Sequence, residues 1–113
     1  MTHDPLQTKK LPDPKLIYNH LKSSAKKRHI EFTLTVLDIY DLAIPLTCPI
    51  FGFPLYWHRS KFHDDSYSVD RINTELGYVP GNLQYISYLA NRCKNSMTDE
   101  ELQLFCEYYI KPK

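Results

Sequence analysis

The sequence predicts an α+β fold, and three observations carry that prediction. Asp13-Pro14 opens a helix whose Ile17, Leu21 and Ala25 fall at i, i+4 and i+8 on one face. Two short apolar runs, Tyr67–Ile72 and Leu83–Ser87, bracket a loop carrying Gly77, Pro80 and Gly81, and a helix follows over Tyr88–Asn95. Thr98-Asp99-Glu100-Glu101 is a capping box that starts a last helix running to Glu107 or Tyr108. With 113 residues, the chain reads as one domain with a single modest core.

Residues 1–12, with two Pro-containing turns and Lys9-Lys10, read as a flexible N-terminal arm, which leaves 13–113 as the folded domain. In the first helix Asp13 supplies the N-cap oxygen, and Pro14 sits where its missing N–H is harmless. Basic residues gather in the last turn, at the negative end of the dipole, and the helix stops near His29. Ile30, Phe32 and Leu34 alternate with Glu31, Thr33 and Thr35, the period of a short half-buried strand. Thr35 then caps a second helix containing Leu37, Ile39, Tyr40, Leu42 and Ala43, which Pro45 ends. Cys48–Leu55 reads as a tight turn between two short strands, and Trp57–Asp65 as a charged loop. The last helix carries an apolar face of Leu102, Phe105, Cys106 and Tyr109.

Nine Tyr, five Phe and one Trp argue for a folded globule rather than a disordered chain. Met1–Pro14 holds no apolar run, so no signal peptide is expected, and no segment approaches the roughly 20 apolar residues of a membrane span. A soluble, cytoplasmic protein is the expectation. The net charge of +1 announces no nucleic-acid binder, so distribution decides. Lys22, Lys26, Lys27, Arg28 and His29 cluster, as do Arg92 and Lys94; a solvated helix face explains the first cluster equally well. Three cysteines, Cys48, Cys93 and Cys106, show no CxxC spacing and read as buried free thiols.

The chemistry concentrates in Ser68-Val69-Asp70-Arg71-Ile72, then Gly77-Tyr78-Val79-Pro80-Gly81-Asn82, then Asn91 nine positions on. This order and spacing resemble the ββα-metal core of the HNH (His-Me finger) endonucleases, spanning about residues 48–96. The block Ala25-Lys26-Lys27-Arg28-His29-Ile30-Glu31-Phe32-Thr33-Leu34-Thr35 is similar to the lead-in found upstream of that core in many phage and bacterial HNH proteins. The likeness covers roughly residues 20–108, most of the domain.

The resemblance implies that Asp70 and Asn91 ligate one divalent cation and that Asn82 holds the loop and orients the strand bearing Asp70. Mg²⁺ or Mn²⁺ suits such a set, because a hard cation takes oxygen donors and keeps several waters. Each residue also has an ordinary reading: Asp70 paired with Arg71, Asn82 as a loop cap, Asn91 facing solvent. Their joint order carries the assignment. The family's contacts run mainly to the phosphate backbone, so DNA is the implied partner, met by Lys26, Lys27, Arg28, Arg59, Lys61, Arg92 and Lys94 with little base specificity.

Two departures stand out. Where the family carries its general-base His, this chain has Arg71, which stays protonated and has no acceptor. Three alternatives follow. Another group is the base, with His58 and His63 the candidates nearest in sequence. Or Arg71 clamps the scissile phosphate. Or the core is inactive and retained for binding. The second departure concerns the zinc that many relatives hold on two CxxC pairs. The matching positions here are Cys48, Phe51, Ser87 and Ala90, so no structural zinc is expected. Packing by Phe51, Phe53, Leu55, Leu89 and the last helix is expected in its place. The functional expectation is a phage- or prophage-encoded, metal-dependent DNA endonuclease. The alternatives are an inactive module of the same fold that binds DNA or a host protein, and a purely structural domain.

Overall fold

Helix α1, Pro14–Arg28, begins as its sequence dictates: the Asp13 side chain accepts from the backbone N–H of Lys15 and Leu16 at 3.0 and 3.4 Å. It ends at His29, whose φ of 56° closes the helix in the left-handed region. Ile17, Leu21 and Ala25 are its buried residues. The structure is a computed structural model that describes residues 11–58 and 62–110; most of the expected arm, residues 1–10, lies outside it.

The short helix α2, Val36–Tyr40, follows, with the Thr35 backbone N–H donating to the Asp38 carboxylate at 2.7 Å. It stops well before Pro45, and of its apolar residues only Ile39 is buried, while Leu37 and Tyr40 face outward. Residues 30–34 form no strand, contrary to their alternating pattern. They make a single parallel bridge, Phe32 to Tyr78, flanked by Tyr78 N–H donating to Glu31 O at 2.8 Å and Thr33 N–H donating to Tyr78 O at 3.0 Å. The partner is one turn of loop rather than a strand, so no ladder can extend from it. The Cys48–Leu55 region likewise closes through one antiparallel bridge, Thr47 to Pro54, with Gly52 taking the positive φ of 83° that its turn requires.

The ladder itself has two antiparallel strands, β1 (Tyr67–Arg71) and β2 (Leu83–Ser87), in a register that sets Asp70 opposite Gln84. Helix α3, Tyr88–Asn95, follows β2 directly, capped by the Ser87 hydroxyl accepting from Ala90 N–H at 3.1 Å. It packs on both strands. The core gathers around the hairpin: Tyr67, Leu83, Tyr85 and Ile86 meet α1, Leu34, Ile39, Leu55 and Ala90.

Helix α4, Asp99–Tyr109, has its predicted capping box but no buried residue. Its apolar face is real as a pattern and little used as packing: Leu102 is half-buried, but Phe105 is 54% exposed and Tyr109 69%. Two expectations are corrected with it. Cys93 and Cys106 are exposed thiols, because the helix positions bearing them face solvent, and only Cys48 is buried. Of the residues expected to pack in place of zinc, Leu55 is buried and Phe53 and Leu89 are half-buried, but Phe51 and α4 lie outside the core. No helix among the described residues is long and apolar enough to cross a membrane.

Candidate active site

The loop between the strands is built by one side chain. The Asn82 Oδ1 accepts from Asn73 N–H at 2.8 Å, while its Nδ2 donates to Asn73 O at 3.0 Å and Gly77 O at 2.9 Å. Its backbone adds an Ile72 N–H to Asn82 O bond at 2.9 Å. Both ends of the loop are thus tied to the residue just before β2. Gly77 lets the loop dock on the segment before α2: a Cβ there would meet the Glu31 carbonyl oxygen and come within 2.7 Å of Glu31 Cβ.

A cleft of about 390 Å³ opens over β1, walled by α1 on one side and by α3 and the loop on the others. Ser68, Asp70 and Arg71 line it from β1, Asn91 and Asn95 from α3, His20 and Arg28 from α1, with His58 and Tyr78 beside them. Five of the expected site residues, Asp70, Arg71, Asn91, His58 and Arg28, therefore share one cavity. Asn82 stands behind it as a brace, and His63 is an exposed neighbour whose ring centroid lies 4.2 Å from that of His58.

Asp70 is 4% exposed, and both its oxygens are engaged. Lys94 Nζ donates to Oδ1 at 2.8 Å and also to the Arg71 carbonyl oxygen at 2.8 Å; Gln84 Nε2 donates to Oδ2 at 3.0 Å. Asn91 ties α3 to β1: its Nδ2 donates to Ser68 Oγ at 2.8 Å and Val69 O at 3.2 Å, and its Oδ1 accepts from Asn95 at 2.8 Å. Arg71 turns towards the loop. Its Nη1 donates to Thr74 O and Leu76 O at 3.1 and 3.0 Å, and its guanidinium lies 5.4 Å from the Tyr78 ring centroid. His58 shares a 2.8 Å hydrogen bond, through Nε2, with Asp65 Oδ1. The Tyr85 hydroxyl is pushed up to about 12 by burial first and by Tyr67 second, so it stays protonated and is no base at neutral pH.

The basic residues divide. Lys26, Lys27 and Arg28 are exposed, and Arg28 reaches the cleft, with Nη1 donating to the Tyr78 hydroxyl at 3.5 Å. Arg92 pairs with Asp64 at 3.0 Å, and Lys94 turns inward. Arg59 and Lys61 lie outside the described residues. At the positions matching the family's zinc ligands, the Cys48 thiol donates to Ser87 Oγ at 3.2 Å, so two of the four do meet. Burial pushes that thiol up, but hydrogen bonds from Ser87 and from the backbone of Phe51, Ser87 and Ile50 outweigh it and hold it below its ordinary 9.0.

Sequence reasoning missed the partners of Asp70. Gln84 was within reach, since the strand register places it directly opposite. Lys94 was not: it stands three residues after Asn91 on the same helical face, but only the packing of α3 on β1 brings it to the carboxylate. The Asp70 carboxylate and the Arg71 carbonyl are hard oxygen donors of the kind a divalent cation takes. The Asp70 carboxylate and the Arg71 carbonyl already grip one cation, the Lys94 ammonium, while Asn91 Oδ1 has one of its two lone pairs taken.

No protein-family model matches the sequence. An uncharacterized protein of Acanthamoeba polyphaga mimivirus, R423, is 27% identical over 89 residues, which make up 79% of this chain and 15% of that protein. This chain thus corresponds to a small part of its much longer relative. Among solved structures, the rare-cutting HNH restriction endonuclease PacI superposes with a TM-score of 0.58 at 20% identity, covering 96% of this chain and 92% of its own. The chain has an HNH-like fold.

Proposed function

We propose that the protein is an HNH-like endonuclease that hydrolyses DNA phosphodiester bonds with one divalent ion, Mg²⁺ or Mn²⁺. The observation that carries this reading is a single cleft gathering Asp70, Asn91, His58 and Arg28, on a fold shared with a restriction endonuclease that perturbs DNA. The likeness of residues 25–35 to phage and bacterial lead-ins supports a phage or prophage source.

In this reading Asp70, with the Arg71 carbonyl and Asn91, would hold the ion, which would supply positive charge to stabilise the phosphate and the leaving oxygen. His58 is the base. With Nε2–H donated to Asp65, its Nδ1 lone pair is left to take a proton from water as the water oxygen bonds to phosphorus. The P–O3′ bond breaks, and the leaving oxygen is protonated from solvent. Asp65 fixes the ring tautomer and stabilises the imidazolium. Arg71 does no proton transfer; it holds the loop and, with Arg28, makes the Tyr78 wall electropositive. Asn82 keeps the Asp70 strand and the loop in register.

One observation favours the alternative of a non-catalytic module that binds DNA or a host protein: Asp70 already has its charge matched by Lys94. Plasmid nicking with Mg²⁺, Mn²⁺ or EDTA separates the two. The endonuclease reading expects nicked product with either metal and none with EDTA. Intact plasmid under every metal, with salt-sensitive DNA binding or a co-purifying host protein, assigns the chain to the alternative.

A further inference from the structure

The ion pair between Lys94 and Asp70 is the most buried among the described residues, with side-chain exposures of 21% and 4% against 29% and 40% for His58–Asp65 and 55% and 67% for Arg92–Asp64. An exposed pair contributes little, but here a carboxylate that would otherwise be buried without a counter-charge has been given one. The ammonium is gripped twice, by Asp70 Oδ1 and by the Arg71 carbonyl, each at 2.8 Å. A carboxylate oxygen and a backbone carbonyl are the donors a hard divalent ion also takes.

We propose that Lys94 is the resident cation of the Asp70 site and that a divalent ion enters only by displacing it. Three features fit an exchange rather than a fixed bridge. Gln84 holds the other carboxylate oxygen at 3.0 Å, so Asp70 stays in place while its cation changes. Lys94 carries its charge on a flexible four-carbon stem from α3, so the ammonium can leave without moving the backbone. Asp70 and Asn91 line the cleft whereas Lys94 does not, so the ammonium can draw back from the shared oxygens on its own side as an ion reaches them from the cleft. The tether gives the ammonium a high effective concentration at Asp70, and a divalent ion gives up its own water reluctantly; together these set metal affinity below that of the same oxygens without Lys94. Once displaced, the ammonium is a free positive charge beside the cleft, fit to meet a phosphate oxygen.

The inference rests on reading Asp70 as the metal-holding carboxylate, and one titration separates the two claims. Mn²⁺ binding to the full chain is followed by loss of the free-ion EPR signal for wild type, Lys94→Gln and Asp70→Asn. Glutamine at 94 keeps a donor for Asp70 and removes the charge. Lys94→Gln is expected to bind Mn²⁺ about tenfold tighter than wild type or more, and Asp70→Asn to lose the binding. Equal or weaker binding by Lys94→Gln, with binding still lost in Asp70→Asn, overturns the role of Lys94 and leaves the Asp70 reading standing. Binding that survives Asp70→Asn, or no binding by any of the three proteins, overturns both. If Lys94→Gln does not fold, acetylation of the wild-type chain read by mass spectrometry decides instead. Filling the site with Mn²⁺ should raise modification of Lys94, relative to Lys22 and Lys26, by about tenfold, and an unchanged ratio overturns the proposal.

Discussion

Asn82 shows how much one polar side chain can hold. Its amide satisfies Asn73 N–H, Asn73 O and Gly77 O, and Gly77 is itself packed against Glu31. Asn82→Ala strands these groups where water reaches only some of them, and should lower unfolding free energy by about 2–3 kcal/mol in urea titrations. A loss near zero would mean the loop does not depend on that amide. The bracing role is what the resemblance to the HNH core implies for Asn82; the residue by itself reads only as a loop cap. The neighbours of Asp70 were not legible in the sequence. A carboxylate beside an arginine in the chain suggests a local pair, yet Asp70 finds Lys94 across 24 residues while Arg71 turns to the loop carbonyls of Thr74 and Leu76. Which cation meets a buried anion is a matter of packing, and local sequence does not encode it.

Among the elements, caps were read more reliably than packing. Asp13, Thr35 and Thr98 stand at the helix starts as the sequence predicts, the Ser87 cap is added by the structure, and the strand–strand–helix run over 67–95 falls where the apolar runs place it. The alternating 30–35 segment and the apolar stripe of α4 were misjudged for a shared reason. Periodicity reports which residues share a face, and says nothing of whether a partner lies opposite. Helix α4 is consequently held by its own cap. The Glu101 carboxyl is kept below its ordinary 4.5 by the backbone N–H of Thr98 first and the Thr98 side chain second, with burial opposing. A depressed folded value means that this cap stabilises α4 above the unfolded value and is lost as pH falls through the folded one. Backbone chemical shifts of residues 99–109 should therefore move towards coil on acidification below the ordinary Glu range, while the core shifts stay put. Thr98→Ala should lower α4 helicity already at neutral pH, by a cap's usual worth of about 1 kcal/mol, and should reduce that acid-dependent change without abolishing it, because residue 98 keeps the backbone N–H that holds Glu101. Shifts in α4 that ignore both perturbations would show that packing, and not the cap, sustains the helix.

At the scale of the molecule, a net charge of +1 conceals a division of labour. Among the described residues, Lys94 and Arg92 are committed to Asp70 and Asp64, which leaves α1, with Lys26, Lys27 and Arg28 exposed, as the basic face beside the cleft. Replacing Lys26 and Lys27 by Ala should weaken DNA binding to a similar degree on unrelated sequences and should reduce the salt slope by about one for each phosphate that is no longer neutralised. An unchanged slope would move the DNA to another face. If the cleft over β1 cuts DNA through Asp70, plasmid nicking by Asp70→Asn beside wild type will show it. Asparagine preserves the shape and the hydrogen bond from Lys94 while removing the charge, so circular dichroism should report an intact fold. The account predicts nicking reduced by at least about a hundredfold, equivalent to roughly 2.7 kcal/mol of lost transition-state stabilisation, in Mg²⁺ and in Mn²⁺ alike. Nicking by Asp70→Asn at the wild-type rate would contradict it.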